Sequence, residues 1–75
     1  MSKLQTVRTN QRWSQQAIAD KSGVAVGTYR HYEQGVRNIN TANLYALVGM
    51  CEALDCQLYD ILEDEELIER LKSRV

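Results

Sequence analysis

Residues 15–34 constrain the fold more than any other part of this chain, because they have the pattern of two short helices joined by a tight turn. Ala19 lies four positions before Gly23, so one helix can cross another closely while the turn takes the left-handed backbone that glycine adopts easily. Gly35 follows the second helix. The chain contains no proline and only four glycines, which also favours helices. The pattern therefore predicts an all-α fold built around this pair of helices.

Five helices are predicted along the 75 residues, enough for one domain with a modest core. Ser14 is a favourable N-cap for the second helix, and Gly23 and Gly35 are expected to end the second and third helices. We expect the domain to span residues 1–62 and a helical extension, which is not a separate domain, to span 63–75. The predicted helices cover about residues 2–11, 15–22, 26–34, 42–54 and a last segment that begins near Leu58.

Apolar residues in the second half of the chain follow helical spacing. In the fourth helix they recur at steps of three and four, which predicts that the whole set faces the core: Leu44, Leu47, Val48, Cys51 and Leu54. The loop before this helix is expected to place Ile39 inside. The tail is expected to continue the fifth helix with a narrow apolar stripe of Leu67, Ile68, Leu71 and Val75. This stripe either packs on the domain's own core or serves a protein partner or a second copy of the chain.

The sequence argues against several classes of protein. No run approaches the roughly 18 apolar residues of a membrane span, and the N-terminus lacks a secretory signal, so we expect a cytoplasmic protein. Cys51 and Cys56 lie five residues apart and His31 is the single histidine, so four metal ligands are hard to assemble. We therefore expect reduced, apolar thiols and no metal or cofactor. Nothing pairs a nucleophile with a base, so an enzyme is not expected.

Charge is divided unevenly along the chain, although the net charge is only −1. Residues 1–40 hold six basic and two acidic side chains, a formal charge of +4, and residues 41–75 hold three basic and eight acidic ones, a formal charge of −5. A basic half beside an acidic half suits a protein that presents one face to phosphates, with ordinary scatter of solvated charge as the alternative. Together with the helix-turn-helix layout of residues 15–34, this division predicts duplex DNA as the partner.

A family resemblance extends over residues 4–62. The residues that carry it are Trp13-Ser14-Gln15 at the start of the second helix, Ala19 and Gly23 in the turn motif, Tyr32-Glu33-Gln34-Gly35 at the end of the third helix, and ALDCQLYDIL over 53–62. Together they resemble the lambda repressor-like, or Cro/CI/XRE, helix-turn-helix family. The resemblance implies a compact five-helix domain whose third helix enters the major groove of DNA.

The resemblance also implies roles for individual residues. Gln15 matches the glutamine that typically meets the sugar-phosphate backbone. Arg8 and Glu33 match positions that often form an ion pair between the first and third helices, and we expect this pair to hold the scaffold rather than to touch DNA. Tyr29 and Tyr32 lie one helical turn apart and are expected to face back toward the second helix as core residues.

The recognition positions depart from the family's pattern, because Ala25, Val26 and Gly27 are small or apolar where polar side chains are usual. Ala25 is also a poor N-cap, and Gly27 weakens the helix. The residues left to read bases are Thr28, Arg30, His31 and, through a thymine methyl, Val26. We therefore expect few direct contacts to bases, and we expect DNA shape and deformability to contribute to the specificity.

The loop after Gly35 offers further polar side chains, Arg37, Asn38 and Asn40, to the DNA backbone. The leading interpretation is a sequence-specific regulator of transcription that binds double-stranded DNA as a dimer. In this interpretation Arg30 reads bases and Arg37 holds the backbone. The alternative is a protein-interaction module, such as an antitoxin, that binds a partner through the C-terminal extension and reads DNA weakly.

Overall fold

A computed structural model describes residues 1–74, which form five α-helices and two short 3₁₀ turns. The helices are α1 (Lys3–Asn10), α2 (Gln15–Ser22), α3 (Val26–Gln34), α4 (Leu44–Leu54) and α5 (Glu65–Lys72). The 3₁₀ turns are Ile39–Thr41 and Leu58–Asp60. No strand occurs within this part of the chain, so the all-α prediction is confirmed. The predicted limits of the second and third helices are confirmed at both ends, whereas the division of the chain at residue 62 stays a prediction.

Local capping explains both ends of α2 and the end of α3. The Ser14 hydroxyl accepts a hydrogen bond from the Ala17 N–H at 3.0 Å, which satisfies a free donor at the start of α2. Gly23 and Gly35 follow α2 and α3 with φ angles of 74° and 77°, a left-handed conformation that glycine adopts without strain. Ala25 makes no side-chain cap at the start of α3, so packing has to hold that end of the helix.

The core lies between α2, α3 and α4, and α1 and α5 close its sides. Its buried apolar residues are Leu4, Ile18, Ala19, Tyr29, Tyr32, Ile39, Leu47, Met50, Leu54, Ile61, Leu62 and Ile68. The tightest approach is between α2 and α4 at Gly49. A Cβ atom on Gly49 would overlap the carbonyl oxygen of Ser22 and lie 3.1 Å from its carbonyl carbon. The two helices therefore cross backbone to backbone at a position where any side chain would force α2 to shift.

The prediction that Leu44 and Val48 face the core is wrong. Leu44 is 69% exposed and Val48 is 48% exposed, and Tyr45 between them is 91% exposed. The inward stripe of α4 is Leu47, Met50 and Leu54, on the side that Gly49 brings against α2. Because α4 is apolar on several sides, the three- and four-residue spacing fits two stripes equally well, and the crossing at Gly49 selects between them.

The expectation of one continuous fifth helix from Leu58 is also wrong. Leu58–Asp60 is a single 3₁₀ turn, and α5 begins only after Asp64, whose carboxylate accepts from the Leu67 N–H at 3.1 Å. Between them, the Asn40 Oδ1 atom accepts hydrogen bonds from the N–H groups of Glu63 and Asp64, both at 2.9 Å. These N–H groups point to another segment, so the chain cannot continue as a helix through them.

The apolar stripe of the tail packs on the domain's own core. Ile68 is 3% exposed, and Leu67 and Leu71 are half-buried against the core cluster. Val75, the last member of the predicted stripe, lies outside the described residues. The three described side chains are therefore used in folding, whereas α4 carries three neighbouring exposed apolar residues, Leu44, Tyr45 and Val48.

Candidate nucleic-acid interface

One side of α3 faces outward and is free of large apolar groups. Its exposed members are Gly27, Arg30, His31 and Gln34, preceded by the exposed Ala25. The opposite side carries Tyr29, which is fully buried, and Tyr32, which is 8% exposed. The expectation that both tyrosines are core residues is therefore confirmed. A helix with an anchored apolar side and an open polar side can be inserted into a groove without disturbing its own packing.

Val26 and Thr28 lie at the margins of this outward side rather than at its centre. Val26 is half-buried and packs against the core, so only part of its side chain is available for a thymine methyl. Thr28 is half-buried and lines an open cleft together with Arg37, Asn43 and Tyr45. The cleft joins this margin of α3 to the start of α4.

A buried ion pair fixes α3 from behind. The Arg8 guanidinium donates to both carboxylate oxygens of Glu33, with Nε–Oε2 at 2.6 Å and Nη2–Oε1 at 3.1 Å. A third donor, Arg8 Nη1, reaches the carbonyl oxygen of Trp13 at 2.7 Å. The Glu33 side chain is 1% exposed, so this bidentate pair works in a poorly solvated site. The predicted pair is confirmed, and it joins α1, α3 and the residue before the cap of α2.

The charges of this site shift the pKa values of its members. Burial of Glu33 opposes ionisation, but the hydrogen bonds from Arg8 and Gln15 and the charge of Arg8 outweigh it and hold the pKa of Glu33 below its usual value. The hydrogen bond to Glu33 raises the pKa of Arg8. Burial, together with the nearby Glu33, raises the pKa of the Tyr29 phenol. The pair is therefore fully charged at neutral pH.

Gln15 connects the buried pair to the outward side of α3. Its Nε2 atom donates to Glu33 Oε1 at 2.9 Å, and its Oε1 atom accepts from Arg30 Nε at 3.1 Å. Because a carboxylate only accepts, the NH₂ group of Gln15 has to face Glu33 and its oxygen has to face away. Arg30 is the donor that this oxygen meets. The sequence offered a signal for the link, since Arg30 precedes Glu33 by one helical turn.

The loop between α3 and α4 presents one free cation. Arg37 is exposed, and its backbone N–H donates to the His31 carbonyl oxygen at 3.2 Å, which folds the loop back toward α3. Asn38 is exposed, and its Oδ1 atom accepts from the Asn40 N–H at 2.9 Å. The side-chain oxygen of Asn40 accepts hydrogen bonds from the N–H groups of Glu63 and Asp64, which precede α5. Asn40 therefore holds the fold, and the expectation that it faces DNA loses its basis.

Only part of the basic charge in residues 1–40 is free to meet phosphates. Lys3 donates through Nζ to the Tyr59 carbonyl oxygen at 2.7 Å, and the Lys21 ammonium lies 4.5 Å from the centre of the Trp13 ring. Arg8 is neutralised by Glu33. Lys21 is itself exposed and keeps its charge, and the other exposed cations of this half are Arg12, Arg30 and Arg37. Two of these three flank the outward side of α3.

The two cysteines are free and half-buried at the end of α4 and the turn that follows. Burial raises the pKa of Cys56 to about 12, and it also raises the pKa of Cys51. Within residues 1–74, no group of three or more His, Cys, Asp or Glu side chains is arranged to hold a metal ion. None of the helices in the described chain is long and apolar enough to cross a membrane.

Comparison with known proteins identifies one family. The family model HTH_3, described as helix-turn-helix, matches residues 4–61, which include α1 from its second residue, all of α2 to α4 and the turn after them. No curated protein and no solved structure matches the chain significantly. The match covers most of the chain and includes the capped helix pair, the buried ion pair and the outward side of α3. The chain belongs to the Cro/CI/XRE-type helix-turn-helix family of DNA-binding transcriptional regulators, with the lambda repressor-like fold.

Proposed function

We propose that this chain is a sequence-specific regulator that inserts α3 into the major groove of double-stranded DNA and acts as a homodimer. The observation that carries the proposal is the outward side of α3, which lies between the free cations Arg30 and Arg37 and is fixed from behind by a buried ion pair. The major groove, about 12 Å wide, admits one α-helix. Cations on both sides of such a helix meet the two phosphate strands that border the groove.

Base readout in this proposal comes from the centre and the margins of the outward side. His31 is exposed at the centre, and Thr28 and Val26 contribute from the margins. Ala25 and Gly27 bring little side chain, and no atom lies within 4 Å of the position that a Cβ on Gly27 would take. The helix backbone can therefore approach the bases closely. With few side chains to read base edges, DNA shape supplies part of the specificity.

Backbone anchoring comes from both ends of the helix-turn-helix. Gln15 at the start of α2 stands at the position where the family meets the sugar-phosphate backbone. Arg37 and Asn38 extend from the loop after α3 at the other side, and the Arg37 guanidinium makes no hydrogen bond or ion pair within residues 1–74. Contacts of this kind set the register of a protein on the duplex without specifying its sequence.

The dimer is proposed to form through the exposed side of α4, made of Leu44, Tyr45 and Val48, which we call the α4 face. These side chains are 69%, 91% and 48% exposed, and they are apolar apart from the tyrosine hydroxyl. Tyr45 also lines the cleft that contains Thr28 and Arg37, so the α4 face borders the proposed DNA interface. Two copies that meet there would present two α3 helices to half-sites about 34 Å apart.

The α4 face takes the role that the sequence assigned to the C-terminal extension. An apolar surface next to a reading helix suits a second copy, and it also suits the alternative function, a module that binds another protein. The variant Val48→Lys tests whether the α4 face holds two copies of the chain together. It places a cation on the α4 face, one helical turn before Glu52, and leaves the core unchanged. We expect a wild-type dimer to become a monomer by light scattering, whereas the matched Thr6→Lys variant on α1 stays dimeric.

The proposed function is tested by selecting bound duplexes from a random pool at about 0.15 M salt. We expect a palindrome whose half-sites are one helical turn apart. A parallel selection with His31→Ala should recover the same spacing with relaxed preference at one base pair per half-site. Recovery of no sequence above background, with the protein shown to be folded, would contradict the proposal and direct the search to a protein partner for the α4 face.

A further inference from the structure

We propose that Arg30 and Gln15 together bind one DNA backbone phosphate, and that Arg30 does not read bases. We call this pair of side chains the phosphate clamp. The inference rests on the proposed function, because it assigns a role within the same DNA interface. It also reverses the role that sequence reasoning gave to Arg30, where an exposed arginine on a recognition helix was expected to contact guanine.

The side chain of Arg30 is held in one direction, toward the start of α2. Its Nε atom donates to Gln15 Oε1 at 3.1 Å, which draws the guanidinium toward the start of α2. Gln15 cannot turn its oxygen elsewhere, because its NH₂ group is bound to the buried Glu33 carboxylate at 2.9 Å. The orientation of Arg30 is therefore set by a carboxylate that Arg30 itself does not touch.

The helical spacing of α3 places Arg30 at the edge of its outward side. Successive residues of an α-helix are separated by about 100° around its axis. Gly27, His31 and Gln34 lie close together at the centre of the outward side, and Arg30 lies at its edge, on the side of Glu33 and Gln15. A side chain at the edge that leans toward α2 meets the border of the groove, where the phosphates are, rather than its floor.

The positive charge of Arg30 is not balanced by the buried ion pair. Arg8 neutralises Glu33 within the buried pair, so the positive charge of Arg30 is left over in the chain Arg8–Glu33–Gln15–Arg30. This excess lies at the exposed end. The guanidinium has five N–H donors, and the bond to Gln15 uses one of them. Gln15 keeps one amide N–H as well. Several convergent donors and one unneutralised charge match a phosphate monoanion.

Base reading by Arg30 would cost a hydrogen bond that phosphate binding keeps. For Arg30 to reach a guanine at the centre of the groove, its bond to Gln15 would have to break. The Gln15 oxygen would then lose its partner while its amide stayed fixed on Glu33. Binding a phosphate keeps every one of these bonds, so the arrangement seen in the free protein is already the binding arrangement.

The clamp is tested by measuring affinity for the selected operator and for a random duplex over a range of salt concentrations. Arg30→Ala removes one phosphate contact, so the slope of log K against log salt should become shallower by about 0.9. Affinity for both duplexes should fall by the same factor, with their ratio preserved within about twofold. A lost guanine contact would instead lower that ratio by roughly 5- to 150-fold. Arg70→Ala on α5 removes the same charge and should change neither quantity.

The coupling between the two side chains has its own readout. Gln15→Ala should weaken both duplexes less than Arg30→Ala does, and the double variant should lose less than the product of the two single losses. In an Arg30→Lys background the charge remains but the Nε–H donor is gone. Gln15→Ala should therefore weaken binding by the same factor in this background as in the Arg30→Ala background.

The outcomes are distinguishable from failure of the proposed function. If the wild-type protein binds no duplex, both the function and the clamp are wrong. If the wild type selects an operator and Arg30→Ala collapses its preference over random DNA with an unchanged salt slope, the clamp alone is wrong and Arg30 reads bases. Fully independent effects of Gln15→Ala and Arg30→Ala would also overturn the clamp.

Discussion

The crossing of α2 and α4 gives the sharpest stability prediction, through two glycines that both lie inside helices. Substituting alanine at either position gains helix propensity, worth up to about 1 kcal/mol. At Gly27 the new methyl group meets open space. At Gly49 it overlaps the Ser22 carbonyl oxygen and lies 3.1 Å from the carbonyl carbon. The two substitutions add the same group, so their difference isolates the crossing.

The expected magnitudes follow from these contacts. Overpacking a core costs about 1–3 kcal/mol, and the upper end applies at Gly49 because the opposing atoms are backbone and α2 has to move as a unit. After the gain in propensity, Gly49→Ala should lose about 2 kcal/mol, which lowers the melting temperature of a domain of this size by roughly 8–16 °C. Gly27→Ala, in the first turn of α3, should gain about 0.5 kcal/mol, a rise of roughly 2–4 °C.

The assay is thermal unfolding followed by circular dichroism at the helical signal, supported by urea titration. Equal slopes in urea for the wild type and both variants would show that each unfolds from a similarly compact state. If Gly49→Ala melts at or above the wild-type temperature, α2 and α4 do not cross backbone to backbone, and the account of which side of α4 faces inward fails with it.

Two further predictions concern polar side chains that join separate segments of the chain. Glu33→Gln should destabilise the protein by about 3 kcal/mol at neutral pH, because Arg8 would be left without its counter-charge. Folding lowers the pKa of Glu33 below 4.5, so the stability that its charge contributes is complete above that pH and is lost as the pH falls through the folded pKa. The difference in unfolding free energy between wild type and Glu33→Gln should therefore narrow in acid. A difference that stays constant would be inconsistent with an ionised Glu33. Asn40→Ala should cost about 1 kcal/mol, because water would replace the Asn40 oxygen at the exposed N–H groups of Glu63 and Asp64. Hydrogen exchange at these two amides should accelerate before exchange in α2 does, and unchanged exchange there would show that the bonds do not form in solution.

The parts of the fold that the sequence predicted are those decided by local chemistry. Ser14, Gly23 and Gly35 set helix ends through their own side chain or backbone freedom, so both limits of α2 and the end of α3 could be predicted from single residues. The break between Leu58 and α5 was not readable in this way. It depends on Asn40, more than twenty residues away in the chain, whose side chain turns two backbone N–H groups out of a helical path.

The site divides along the same line. The buried pair of Arg8 and Glu33 followed from a family resemblance, and the tyrosines of α3 from helical spacing. The inward side of α4 did not follow from spacing, because the helix offers more than one apolar stripe and the choice belongs to Gly49. The link between Gln15 and Arg30 was missed for a related reason. Sequence reasoning assigned one role to each residue, whereas the carboxylate of Glu33 orients both.

The burial of Glu33 has a consequence for the motions open to the recognition helix. Its carboxylate receives donors from α1 and α2 while it belongs to α3, so shifting α3 alone would strand a charge in a nearly dry site. Such a partly opened form is costly compared with one in which all three helices separate and water reaches the carboxylate. Protection of the α3 amides should therefore equal that of α1 and α2, as members of one cooperative unit. The outward side of α3 should therefore unfold only together with the rest of the domain.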